Sequence, residues 1–173
     1  MLPVAGAYSL TAETTTAAER TIISEDFSGF KAGTEEQPDQ TNIANNRTGV
    51  IESQYTAVAG WTGAAIYQAG GKYLISLGTY YDNNAPYEDT GFIRTPIGDY
   101  AGDLTVKFSA KLFDSQLESD QMAVILNSTS GRLEAKTVNV TPEWNEFTVN
   151  FSKGLFDGCV VEISMKSEKY SMF

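Results

Sequence analysis

The amino-acid sequence predicts an all-β domain, an antiparallel β-sandwich of about nine or ten strands. Apolar residues recur at every second position in several segments, whereas no window of about 11 residues carries an apolar stripe at helical spacing. Gly, Asn, Asp and Pro cluster between these segments, as they do in turns. The chain has 173 residues, which is long enough for one domain with a sizeable buried core.

The most regular alternation lies in residues 104–112, where apolar side chains occupy the even positions and Thr, Lys and Ser the odd ones. This period of two is typical of an antiparallel strand with one face in the core. Met122–Leu126 is a continuous apolar run, which favours a central strand. Alternation returns in residues 136–140, 147–151 and 159–165, where Cys159 is expected to be a small buried residue.

Shorter elements are predicted before residue 104. In chain order these are a strand at 21–27, a surface loop at 31–46, a hairpin of 64–67 and 73–77 around Gly70-Gly71, and a short strand at 91–95.

The two ends of the chain predict its domain organisation. Residues 1–20 are expected to be a linker or the tail of a preceding sandwich domain, and residues 21–173 the β-module itself. Residues 167–173 look like the beginning of another strand, so the module is expected to be truncated at its last strand. The first residues lack the basic and apolar parts of a signal peptide, which is therefore expected outside this chain.

Composition excludes several classes of function. With 22 acidic and 12 basic residues the net charge is −10, which argues against nucleic acid and anionic membrane surfaces as partners. No apolar stretch is long enough to insert into a membrane. The chain has no histidine and one cysteine, so histidine-dependent catalysis, zinc–histidine sites and an internal disulfide are excluded within it. No catalytic residues are predicted.

A resemblance to a known family adds to this picture. The segments that carry it follow one another as Glu25–Phe30, Gly60–Gly63, Tyr67–Gly71, Gly91–Pro96, Leu104–Lys111 and Glu143–Val149. Their order resembles the jelly-roll modules of exported surface proteins of Gram-negative anaerobes, which are grouped with choice-of-anchor J and cleaved-adhesin domains. More distantly, the order is similar to MAM and galactose-binding-like domains.

The resemblance implies a jelly-roll topology and a noncatalytic carbohydrate-binding or adhesin-like module within a larger secreted or cell-surface bacterial protein. Its partners would be a glycan or another surface ligand, together with neighbouring domains of the parent protein. The alternative is a structural spacer that contacts those domains or a protein partner. A glycan-active hydrolase or lyase is the least favoured interpretation.

The candidate ligand site lies between residues 80 and 89. It combines aromatic rings with amide and carboxylate groups, namely Tyr80, Tyr81, Asp82, Asn83, Asn84 and Tyr87. Sugars need an aromatic face for their C–H side and polar groups for their hydroxyls. The alternative is an ordinary polar loop whose tyrosines pack over the sheet edge, and the same oxygen-rich loop is also an alternative calcium site.

Glu25 and Asp26 are the candidate metal ligands, because related jelly rolls often bind a structural calcium at this position. Two adjacent acids cannot supply the six to eight oxygens that calcium takes. The alternative is that one acid is solvated and the other caps a turn. Trp61 and Trp144 both lie in strand-like segments and are expected in the core, with a sugar platform as the alternative role for each.

Overall fold

In the computed structural model, fifteen segments of the described residues are β-strands. The backbone is described for residues 2–3, 8–14, 17–45, 47–75, 77–82, 85–113, 118–129, 131–152 and 155–165. Side chains are described for residues 21–45, 47–73, 91–100, 102–113, 118–129, 131, 133–152 and 158–164.

Ten of these strands have four or more residues and five have two or three, and none of the described residues is helical. In chain order they are β1 Leu2–Pro3, β2 Tyr8–Thr14, β3 Ala17–Glu25, β4 Thr62–Ala64, β5 Ile66–Gln68, β6 Tyr73–Ile75, β7 Leu77–Asp82, β8 Ala85–Thr90, β9 Phe92–Arg94, β10 Gly98–Ala101, β11 Asp103–Ala110, β12 Asp120–Ser128, β13 Gly131–Val140, β14 Asn145–Phe151 and β15 Leu155–Met165.

Two antiparallel sheets dominate the molecule. The larger one has the order β13-β12-β15-β9-β4, and β10 also pairs with β15. The smaller one has the order β14-β11-β2-β3. Two further sheets, β1-β6-β5 and the hairpin β7-β8, complete the pairing. One hydrophobic cluster takes side chains from both large sheets, so they face each other as an antiparallel β-sandwich.

Strand β11 shows how the sequence produces this packing. Leu104, Val106, Phe108 and Ala110 are all buried, as their alternation predicts. Their β14 partners include Phe147, which is opposite Phe108 with ring centroids 5.3 Å apart. Such cross-strand aromatic pairs contribute roughly 0.2–1 kcal/mol beyond small residues at the same positions.

Strands β12 and β15 form the middle of the larger sheet. The continuous apolar run at Met122–Leu126 is buried at every position, which confirms the prediction of a central strand. Cys159 on β15 is fully buried, as expected. Because Ala123 and Ile125 point away from the shared core, the outer face of this sheet is also covered over part of its area.

An aromatic cluster closes the sandwich beneath the long connection between β3 and β4. Phe27, Phe30, Trp61 and Tyr73 are all at most 1% exposed. The Phe27 ring centroid is 4.7 Å from that of Tyr73 and 5.2 Å from that of Trp61, in edge-to-face geometry. The cluster anchors a connection of more than thirty residues, whose described part forms two isolated β-bridges, one within the connection and one to β4.

The beginning of the chain takes part in the smaller sheet. The backbone of Tyr8–Thr14 pairs with β11 on one side and with β3 on the other. The assignment of residues 1–20 to a linker or a preceding domain stays a prediction. Residues 166–173, on which the predicted truncation depends, lie outside the described residues.

The all-β antiparallel sandwich is thus confirmed, whereas its jelly-roll topology stays a prediction. Within the described part of the chain, no helix has the length and apolar character needed to cross a bilayer.

Candidate functional site

Four of the predicted ligand residues lie in the strands of the hairpin β7-β8 instead of a loop, namely Tyr80, Tyr81, Asp82 and Tyr87. The register places Tyr80 opposite Tyr87, Tyr81 opposite Pro86 and Asp82 opposite Ala85. Tyrosine and threonine favour pleated strands, which explains why this segment pairs although it is rich in turn-forming residues. Asn83 and Asn84 lie outside the described residues, and ligand binding by this hairpin stays a prediction.

Glu25, one of the two predicted metal ligands, is a buried carboxylate with two backbone partners. Its side chain lies at the end of β3 and is only 2% exposed. The Phe27 N–H donates to Oε1 at 3.0 Å, and the Val58 N–H donates to Oε2 at 3.2 Å. Since Phe27 has a φ of 53°, the carboxylate stabilises an unfavourable turn and ties it to the long connection.

Asp26 is exposed and caps the same turn. Its Oδ1 accepts the Ser28 N–H at 2.9 Å, and this hydrogen bond lowers the pKa of the Asp26 carboxyl. No group of three or more acidic, histidine or cysteine side chains in the described part of the chain is arranged to hold a metal ion. Calcium binding by Glu25 and Asp26 stays a prediction.

The two tryptophans differ in their surroundings. Trp61 is fully buried, as expected, but Trp144 is 38% exposed, so its assignment to the core is wrong. Phe147, Val149 and Phe151 alternate toward the core along β14, and Trp144 is out of phase with them. It also lies just before Asn145, the first residue of β14, and so outside the pairing of β14 with β11.

Three side chains from separate connections meet around this exposed ring. We call Glu35, Lys72, Lys111 and Trp144 together the Trp144 platform. Lys111 follows β11, Lys72 lies in the turn between β5 and β6, and Glu35 lies in the connection after β3. Loops at one end of a rigid sandwich are where such proteins commonly place binding residues.

Local turns hold these residues in place. Gly70 and Gly71 both have positive φ, and the Ala69 N–H donates to the Lys72 carbonyl at 2.8 Å. Near Glu35, the Gln37 N–H donates to Thr34 Oγ1 at 3.1 Å. The sequence signal of Gly70-Gly71 predicts the first turn, and that hairpin is confirmed.

The platform is a network around one carboxylate. The indole N–H of Trp144 donates to Glu35 Oε1 at 3.2 Å. The Lys72 ammonium pairs with Glu35 Oε2 at 3.1 Å, and the Lys111 ammonium pairs with Oε1. The two ammonium nitrogens are 5.9 and 5.6 Å from the centroid of the indole ring, within the range of cation–π attraction.

Hydrogen bonds from its neighbours keep the Glu35 carboxylate ionised. The hydrogen bond from Lys111, followed by those from Lys72 and Trp144, lowers the pKa of Glu35 to about 2. Burial acts in the opposite direction and is outweighed. The carboxylate is therefore ionised at any physiological pH and holds the ring edge and both ammonium groups in one arrangement.

A concave feature lies on the long connection, apart from the Trp144 platform. It is an open cleft of about 600 Å³ lined by Thr41, Asn42, Ile43, Ala44, Asn45, Thr48, Val50, Glu52 and Tyr55. Two of its polar side chains are engaged with the protein backbone: Asn42 Oδ1 accepts the N–H groups of Ala44 and Ile66, and Asn45 Oδ1 accepts those of Arg47 and Thr48. The cleft is thus a weaker candidate than the Trp144 platform.

No protein-family model, curated protein or solved structure matches this chain. The resemblance to jelly-roll surface modules accordingly stays a prediction.

Proposed function

We propose that this protein is a noncatalytic carbohydrate-binding module and that the Trp144 platform contacts the sugar. The observation that carries the proposal is the exposed indole of Trp144, whose N–H is held by the Glu35 carboxylate. A partly exposed aromatic ring beside fixed polar groups is the combination that sugar recognition needs.

Preorganisation makes the ring a useful platform. Glu35 and the two lysines restrain the Trp144 side chain before a ligand arrives, so less conformational entropy is lost on binding. The carboxylate can accept hydrogen bonds from sugar hydroxyls, and the ammonium groups can donate them.

The exposed area sets the expected affinity. The Trp144 residue is 38% exposed, which leaves on the order of 80 Å² of it open to solvent. Covering that area contributes about 2 kcal/mol at about 25 cal/mol per Å². Two or three hydrogen bonds of about 1 kcal/mol each add to this, but association also costs translational, rotational and side-chain freedom, so the dissociation constant is expected to be about 1 mM or weaker.

A spacer that contacts a neighbouring domain is the second candidate. The observation in its favour is Ile97, which is 72% exposed directly after Pro96. It is the most exposed large apolar side chain among the described residues, so a contact with another protein surface would be centred there. A carbohydrate-binding module binds a glycan, whereas a spacer contacts a protein surface, so a screen for glycan binding separates the two.

The experiment is a glycan-array screen followed by titration of the hits with variants. Trp144→Ala should weaken binding at least tenfold, whereas Tyr81→Ala and Tyr87→Ala should change it less than twofold. Loss of binding in the tyrosine variants alone would move the site to the β7-β8 hairpin. Silence across a broad array would refute carbohydrate binding and leave the spacer.

A further inference from the structure

The Trp144 platform places two cations beside one aromatic ring. The Nζ atoms of Lys72 and Lys111 both lie within 6 Å of the indole centroid. Their side chains are 36% and 22% exposed, so both can be reached from solvent. A ligand stacked on Trp144 therefore has two ammonium groups close to it.

These ammonium groups have donor capacity beyond their ion pairs. A lysine ammonium carries three N–H donors, and its pairing with Glu35 uses one. The one carboxylate balances only one of the two positive charges, so the four platform side chains carry a net charge of +1. A single anionic group on the ligand would neutralise this remaining positive charge.

The surroundings limit how much negative charge the ligand can carry. Glu143 and Glu36 are exposed and directly adjacent in sequence to Trp144 and Glu35, and the whole chain has a net charge of −10. A polyanion would be repelled by this field as it approaches. One acidic residue within an otherwise neutral glycan fits both the local positive charge and the negative surroundings.

We propose that the Trp144 platform recognises a sugar with a single carboxylate, of the uronic acid type. This rests on the proposed carbohydrate-binding function and specifies its ligand class. The pyranose ring stacks on the Trp144 indole, and the ligand carboxylate accepts charge-assisted hydrogen bonds from Lys72 and Lys111. Such bonds are roughly twice as strong as neutral ones, so we expect about tenfold tighter binding than for the uncharged sugar.

The test uses matched methyl glycosides of the gluco, galacto and manno series. Each is supplied as the uronate, as its neutral uronamide of nearly identical shape, and as the parent hexose. Binding is followed by NMR titration of the ¹⁵N-labelled protein at low and at high NaCl. The best uronate should bind about tenfold more tightly than its amide, and the preference should shrink as NaCl rises.

Variants assign this preference to the two lysines. Lys72→Gln and Lys111→Gln should each reduce the preference for the uronate over the amide severalfold. Lys136→Gln serves as the matched control, because Lys136 is also ion-paired to a glutamate but lies on β13, outside the platform. Circular dichroism confirms folding of each variant, and the salt dependence of the wild type tests the charge contribution independently.

The outcomes separate the two proposals. Equal affinity for uronate and amide, with both lost in Trp144→Ala, overturns the acidic-sugar inference and supports carbohydrate binding. A preference that Lys136→Gln lowers as much as the platform variants also overturns the inference. Absence of binding by all nine glycosides, together with silence on the glycan array, refutes both.

Discussion

Replacing Glu35 by Gln removes the charge at the centre of the Trp144 platform and nearly preserves the shape of the side chain. The amide oxygen can still accept the Trp144 indole N–H, but the two lysines lose their anionic partner. Two cations then remain close together, and their mutual repulsion is no longer offset. The variant should be less stable than the wild type at neutral pH.

The magnitude follows from the pKa of Glu35. A fall from 4.5 to about 2 corresponds at most to about 3 kcal/mol of stability. Because the Glu35 side chain is 23% exposed and that of Lys72 is 36% exposed, solvent screening reduces this to about 1 kcal/mol. Since the folded-state pKa is lowered, the contribution is complete above about pH 4.5 and is lost as the pH falls toward 2.

Urea unfolding at pH 7 and near pH 3 measures this contribution. Glu35→Gln should lower the free energy of unfolding by about 1 kcal/mol at pH 7, and by less than half of that near pH 3. The matched control is Glu36→Gln at the adjacent exposed glutamate, which should change stability by less than about 0.5 kcal/mol. Equal stability of Glu35→Gln and wild type at pH 7, or a difference that does not depend on pH, would refute this reasoning.

Three further substitutions test other parts of the structure by urea unfolding. Glu25→Ala should cost about 2–3 kcal/mol, because it removes two hydrogen bonds to backbone N–H groups. If calcium binds there, CaCl2 should also raise the wild-type Tm above that in chelator, and no shift would exclude it. Arg94→Met should cost about 2 kcal/mol by leaving the Glu162 carboxylate buried beside an apolar residue, and Glu162→Met added to it should recover part of the loss. Phe27→Ala should cost about 3–5 kcal/mol by opening the aromatic cluster, and a cost below 1 kcal/mol would contradict its central role.

The sandwich itself is largely predictable from the sequence. A strand with one face in the core must alternate, and residues 104–112 do so along most of their length. Burial on both faces likewise follows from the continuous apolar run at Met122–Leu126. These patterns involve only residues that are close together in sequence, so they predict strands without any knowledge of which strands become neighbours. The order in which strands pair depends on contacts between residues far apart in sequence. Local patterns therefore do not predict the jelly-roll topology.

The Trp144 platform was harder to predict because its members are far apart in sequence. More than thirty residues separate each one from the next, and neither Glu35 nor the two lysines belong to a motif. Only Trp144 carried a usable signal: its position is out of phase with Phe147 and Val149, which predicts the solvent side of β14. The rule of alternation thus favours an exposed Trp144, in agreement with the structure.

The most direct measurement of sugar binding at Trp144 uses the two indole N–H signals of the ¹⁵N-labelled protein. Trp61 is fully buried and Trp144 is 38% exposed, so one ring is an internal control for the other. On titration with the best-binding uronate glycoside, the Trp144 indole signal should shift in a saturable way. The Trp61 indole signal should shift by less than about a tenth of that amount. Saturable binding that leaves the Trp144 signal unmoved, while backbone signals of β7 and β8 shift, would contradict the assignment of the site.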